Sequence, residues 1–105
     1  MAKKSRDKGA KEERAVVNVH REAGIEARRA PYSGAHPDHD SHDVDIYWLG
    51  PDEAPLIGEC KIRARMASIY DWLGEYDFLT LRQDRGERLY VVPERVWLDI
   101  LGRIK

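Results

Sequence analysis

A chain of 105 residues with 42% hydrophobic and 35% charged residues is long enough for one modest core and too apolar to be disordered. With 18 Lys+Arg against 19 Asp+Glu the formal net charge is −1, so no global field recruits nucleic acid or an anionic surface. The single cysteine, Cys60, excludes an intramolecular disulfide and a cysteine-based zinc cluster. No secretory signal pattern and no apolar run long enough to cross a bilayer occur, which sets a cytoplasmic expectation.

Residues 1–9 are polar and basic without periodicity and read as a flexible basic tail ahead of a single domain over residues 10–105. A helix is expected from Ala10 to Ala23, with Val16, Val17, His20 and Ala23 on its apolar face and Gly24 as a left-handed stop. Glu13 falls on that same face, so its carboxylate is aimed at the protein. Ile25 to Ala30 predicts a short strand closed by the Pro31–Gly34 turn. Ala35 to His42 has no apolar anchor and reads as a loop, in which His36, His39 and His42 interleave with Asp38 and Asp40.

Asp43 to Leu49 alternates as a strand, and the Gly50-Pro51 turn returns it into a partner strand, Leu56 to Ile62. Met66 to Tyr76 has helical spacing. Phe78 to Leu81 and Leu89 to Val92 predict two further strands around Asp84-Arg85-Gly86, and Pro93 opens a last helix. The order α-β-β-β-α-β-β-α predicts an α/β fold with one small mixed sheet flanked by helices. Trp48, Trp72 and Trp97 fall on apolar faces and are expected in the core or at a dimer contact.

Glu59-Cys60-Lys61 places a carboxylate and an ammonium on one side of the third strand, because residues two apart on a strand share a face. Such a pair is either an ion pair or a site. Standing alone the motif reads more readily as an ion pair, but Asp45 on the partner strand leaves a site open, since magnesium keeps several waters and needs only two or three protein carboxylates. Asp45 and Glu59 can supply these metal ligands, with Glu13 approaching from the first helix. Asp43 shares the parity of Asp45 and is the second choice to it, reading otherwise as a solvated acid at the strand end. Lys61 would hold or deprotonate an attacking water.

Arg28 and Arg29 are neighbours on a strand, so only one of them can face the site. Arg29, Arg63, Arg65 and Lys8 are the candidate phosphate contacts. Cys60 is out of phase with its neighbours and is expected to point into the core and be inert. The histidine loop would suit a transition metal by ligand type, but with no helix to align its rings it reads as a solvated loop near DNA.

These residues carry a resemblance. Lys8-Gly9 with Glu13-Arg14, then Ala23-Gly24-Ile25, Arg29-Ala30-Pro31-Tyr32-Ser33-Gly34, Asp45-Ile46 and Glu59-Cys60-Lys61 run in order as in the archaeal-type Holliday junction resolvases of the PD-(D/E)xK nuclease superfamily, which the chain resembles from Lys8 to Lys61. The resemblance implies a restriction-endonuclease-like core and a homodimeric DNA endonuclease dependent on Mg2+ or Mn2+, acting on four-way or otherwise branched DNA in recombination. It implies that Glu13 assists at the metal, that Ser33 lies by the scissile phosphate, and that Asp45, Glu59 and Lys61 form the core site. Two departures stand out. The literal Pro37-Asp38 sits in the polar loop, so Asp45 is preferred, and Ile25 stands where the family has an aromatic residue. The alternatives are a nuclease of the same fold acting on flaps, nicks or duplex, and a non-catalytic DNA-binding module retaining the fold.

Overall fold

The computed structural model describes residues 2–30 and 42–104, with side chains from Asp7 onward. Its elements are α1 (Ala2–Glu22), β1 (Glu26–Arg29), β2 (Val44–Tyr47), β3 (Leu56–Gly58), α2 (Ala67–Leu73), β4 (Leu79–Leu81), β5 (Leu89–Val91) and α3 (Glu94–Ile104). Their order is the predicted one, a mixed α/β chain with three helices. The start of α1 differs: the backbone is helical from Ala2, although the apolar stripe begins near Ala10. Ala, Lys and Arg dominate this added stretch, and their propensities favour extending an existing helix without any apolar face to bury.

The end of α1 follows directly from its sequence. Gly24 has φ 83, its N–H donates to the Arg21 carbonyl (3.0 Å), and the Ile25 N–H donates to the His20 carbonyl (2.9 Å). This pair of bonds is a Schellman cap, which needs a left-handed residue at Gly24 and an apolar residue after it. Ile25 supplies the latter and is 2% exposed.

The strands form two antiparallel sheets, β1-β2-β3 and β4-β5, where a single mixed sheet is expected from the sequence. Every paired strand is the chain neighbour of its partner, and all three pairings are antiparallel. Among the described residues the helical connection between strands is α2, which leads from β3 to β4, and these have different partners. In the larger sheet Ala27 lies opposite Ile46 and Arg29 opposite Val44, while Arg28 lies opposite Asp45, which in turn faces Ile57. Ala27, Val44 and Ile46 are buried together with Val17, His20 and Ile25. One face of this sheet is therefore core, and Arg28, Asp45 and Ile57 stand on the other.

By contacts the chain divides into two compact units, Met1–Ile62 with Leu101–Lys105, and Arg63–Ile100. All the buried apolar residues belong to the first. The second contains α2 and the β4-β5 hairpin, with the Phe78 and Tyr90 rings 5.9 Å apart and an Arg95–Asp77 ion pair at 3.3 Å. None of its residues is buried. Trp72 is 59% exposed and Trp48 and Trp97 are only partly buried, so the tryptophans are not core.

Candidate functional site

β3 ends at Gly58, four residues short of the predicted strand end, so Glu59 and Lys61 lie just beyond it. The cause lies in β2. Val44 is paired with Gly58 in the register, yet the Asp43 N–H also donates to the Gly58 carbonyl, at 2.8 Å. Two residues of one strand thus face one of the other, the arrangement of a β-bulge, which breaks the ladder and re-aims the extra residue. Asp43 is the residue re-aimed. It is 7% exposed, its carbonyl accepts the Ala30 N–H at 2.9 Å, and its Oδ2 accepts the Cys60 N–H at 2.7 Å. The expectation of a solvated Asp43 sharing the face of Asp45 is corrected accordingly: a carboxylate there takes the place of a ladder carbonyl and holds the segment of Glu59 against β2.

Three pairings take in Glu13, Arg29, Asp45, Glu59 and Lys61. Glu13 is buried and its Oε1 accepts from Arg29 Nε (3.0 Å) and Nη2 (2.9 Å). The inward aim read from the helix periodicity is therefore present, and of the two adjacent arginines it is Arg29 that faces α1. Arg28 lies on the other face, its guanidinium 4.6 Å from the Tyr47 ring centroid. Asp45 Oδ1 accepts from His42 Nε2 at 2.7 Å, and Glu59 and Lys61 form an open pair at 3.8 Å, with side chains 60% and 59% exposed. The strand register puts Glu13 with Arg29 on the core side of the sheet and Asp45 on the opposite side, so these pairings do not merge into one cluster.

Cys60 marks the place where several carboxylates come near one another. Burial pushes its thiol up from 9.0 to about 11, reinforced by the charges of Asp43, Glu13, Glu12 and Glu59. The thiol stays protonated at neutral pH and is inert, as expected, but it is partly buried and not part of the core. His20 is the satisfied core histidine that its position on the apolar stripe suggests: it is 4% exposed and its Nδ1–H donates to the Val16 carbonyl at 2.7 Å.

Lys8, Arg63 and Arg65 are exposed, as phosphate contacts must be. Ser33, His36, Pro37, Asp38 and His39 lie outside the described residues. The bond from His42 to Asp45 and the bulge at Asp43 were not foreseen. The first had a signal in the three-residue spacing between an imidazole and a strand-borne carboxylate, whereas a one-residue bulge leaves none in composition or periodicity.

Among the described residues no group of three or more His, Cys, Asp or Glu side chains is arranged to hold a metal ion. The donor chemistry nevertheless suits a hard divalent cation, because Asp45 and Glu59 are carboxylates and magnesium completes its shell with waters and substrate phosphate. A cavity of about 480 Å³ lies toward the other end of β1 and β2, where Ile25, Glu26, Tyr47 and Pro51 line it. None of the candidate site residues lines it.

A family model described as archaeal Holliday junction resolvase matches residues 4–71. No curated protein and no solved structure gives a match.

Proposed function

The chain belongs to the archaeal Holliday junction resolvase family, which makes it a nuclease of the PD-(D/E)xK kind, and from that premise we propose a metal-dependent endonuclease that nicks four-way DNA junctions. The observation that carries the reading is the extent of the match: residues 4–71 include Glu13, Ser33, Asp45, Glu59 and Lys61, the full set assigned to the reaction. The match also runs past the division at Ile62 as far as residue 71, and residues 10–105 are read as one nuclease domain.

In this reading Asp45 and Glu59 hold Mg2+ or Mn2+ with Asp43 second to Asp45, and the assisting role of Glu13 rests on the family match alone, because in the resting chain Glu13 is held by Arg29 on the other side of the sheet. When bound, the cation supplies Lewis-acid polarisation of the phosphoryl oxygen and offsets the charge that builds on it. Lys61 orients the attacking water and takes part in its deprotonation, and its open pairing with Glu59 keeps the ammonium beside a ligand carboxylate without burying it. Arg29 is partly exposed beyond its bonds to Glu13 and contacts backbone phosphate, as do Arg63, Arg65 and Lys8. Ser33, within the matched residues, is assigned to the scissile phosphate by its place in the family motif.

The enzyme acts as a homodimer. Exposed Tyr70, Trp72, Tyr76, Phe78 and Tyr90 in a unit with no buried residue support a partner surface, since apolar exposure on that scale is unusual for a monomer. No helix among the described residues is long and apolar enough to cross a membrane, and a cytoplasmic address beside DNA is part of the same proposal.

The test incubates the purified protein with labelled four-way junction, flap and linear duplex, in magnesium, manganese or chelator. Paired symmetric nicks confined to the junction, absent in chelator and absent for Lys61→Ala, are the expected result. Cleavage of flap or duplex in preference to the junction would replace the substrate assignment. No cleavage of any substrate, or undiminished cleavage by Lys61→Ala, would overturn the assignment of the site.

A further inference from the structure

Resting on the reading of Asp45 as a cation ligand, we infer that His42 is a positioning residue that fixes the Asp45 carboxylate for the metal. A carboxylate can only accept, so the 2.7 Å contact requires Nε2 to carry the hydrogen and donate it to Oδ1. The backbone of Asp45 is already fixed, because β2 is the central strand, with Arg28 opposite on one side and Ile57 on the other. What remains free is the terminal torsion of the aspartate, a broad and nearly two-fold rotor in the absence of a partner. The His42 N–H removes that freedom and leaves Oδ2 for the cation.

Among the described residues one further donor stands opposite Asp45 in the ladder. Arg28 is directly across the ladder from Asp45, but its guanidinium lies over the Tyr47 ring. The other ring nitrogen of His42, Nδ1, is buried with no hydrogen-bond partner, so the ring is not shared with a second acceptor among the described residues. A buried polar atom left without a partner is costly. The short bond to Asp45 ties the imidazole to the carboxylate. In metal sites generally, residues that hydrogen-bond a ligand from behind govern its orientation, and their removal weakens metal binding or activity by roughly 10- to 100-fold.

The experiment titrates manganese into the full chain without DNA, read by calorimetry, for the parent and for His42→Ala, His42→Gln and Asp45→Asn, with the melting temperature of each as a control on folding. His42→Ala is expected to weaken manganese binding by roughly 10- to 100-fold. His42→Gln, whose amide N–H can reach Oδ1, is expected to restore most of it, and Asp45→Asn to weaken binding at least as much as His42→Ala. If His42→Ala binds like the parent while Asp45→Asn is impaired, the inference fails and the ligand assignment survives. If Asp45→Asn binds like the parent, or the parent binds no manganese, the ligand assignment fails and the inference with it. A Gln variant as impaired as Ala, with melting unchanged, would mean that the ring acts as a nitrogen ligand, and would likewise overturn the positioning role.

Discussion

Glu13 and Glu59 carry the same chemical group in opposite settings, and the contrast separates a residue's part in folding from its part in function. Glu13 is buried and accepts two N–H bonds from Arg29. Glu13→Ala leaves those donors unpaired and should cost about 1 kcal/mol in urea denaturation, toward the low end for a charge-assisted bond because Arg29 is still reached by water. Glu13→Gln should recover most of that loss. Glu59→Ala removes only an open surface pair and should shift stability by less than about 0.5 kcal/mol while abolishing cleavage. Cys60 gives a prediction in pH. With the thiol pushed up to about 11, both folded and unfolded chains keep its proton below pH 9. Above that the unfolded chain loses the proton first, so stability falls as pH climbs to about 11. Denaturation from pH 8 to 11 should therefore show a steeper decline for the parent than for Cys60→Ala, and parallel curves would contradict the shift. At this scale the inward aim of Glu13 was legible from helix periodicity. The burial of Asp43 was not, because a bulge inverts strand parity without changing which residue types alternate.

Element identity followed from periodicity, and the departures have physical causes. All eight elements occur in the expected order, since apolar spacing and turn residues are local signals. Element ends depended on what lies across the chain. β3 stops at Gly58 because Asp43, distant in sequence, supplies the acceptor for the next amide. α1 stops where Gly24 allows a left-handed turn, a signal written in the sequence itself. Gly24→Ala would place a Cβ on a residue at φ 83, at a cost of about 1–2 kcal/mol, and urea denaturation should show a loss of that size. A loss near zero would mean that the cap reforms without its left-handed residue. Sheet architecture was the least legible feature, because deciding between one mixed sheet and two antiparallel ones requires knowing whether β3 and β4 pair, and no local pattern encodes that.

For the molecule as a whole, the proposed site residues from Glu13 to Lys61 belong to the unit that contains the core, while Arg63 and Arg65 open the other. The pairings of Glu13 with Arg29 and of Glu59 with Lys61 then bear on how the protein loads. In the resting chain each of these carboxylates is already neutralised by the base beside it. In the proposed reading Arg29 leaves Glu13 for backbone phosphate, Lys61 leaves Glu59 for the attacking water, and the carboxylates turn to the cation. When cation and DNA arrive together, each exchange relieves the other. Loading is then a swap of ionic partners, and the two ligands must raise each other's affinity by one common factor. Junction affinity measured by fluorescence anisotropy should accordingly be higher in calcium, another hard oxygen-seeking cation, than in chelator. Equal affinities would show that the resting pairs persist in the bound state, with cation and phosphate held by other groups.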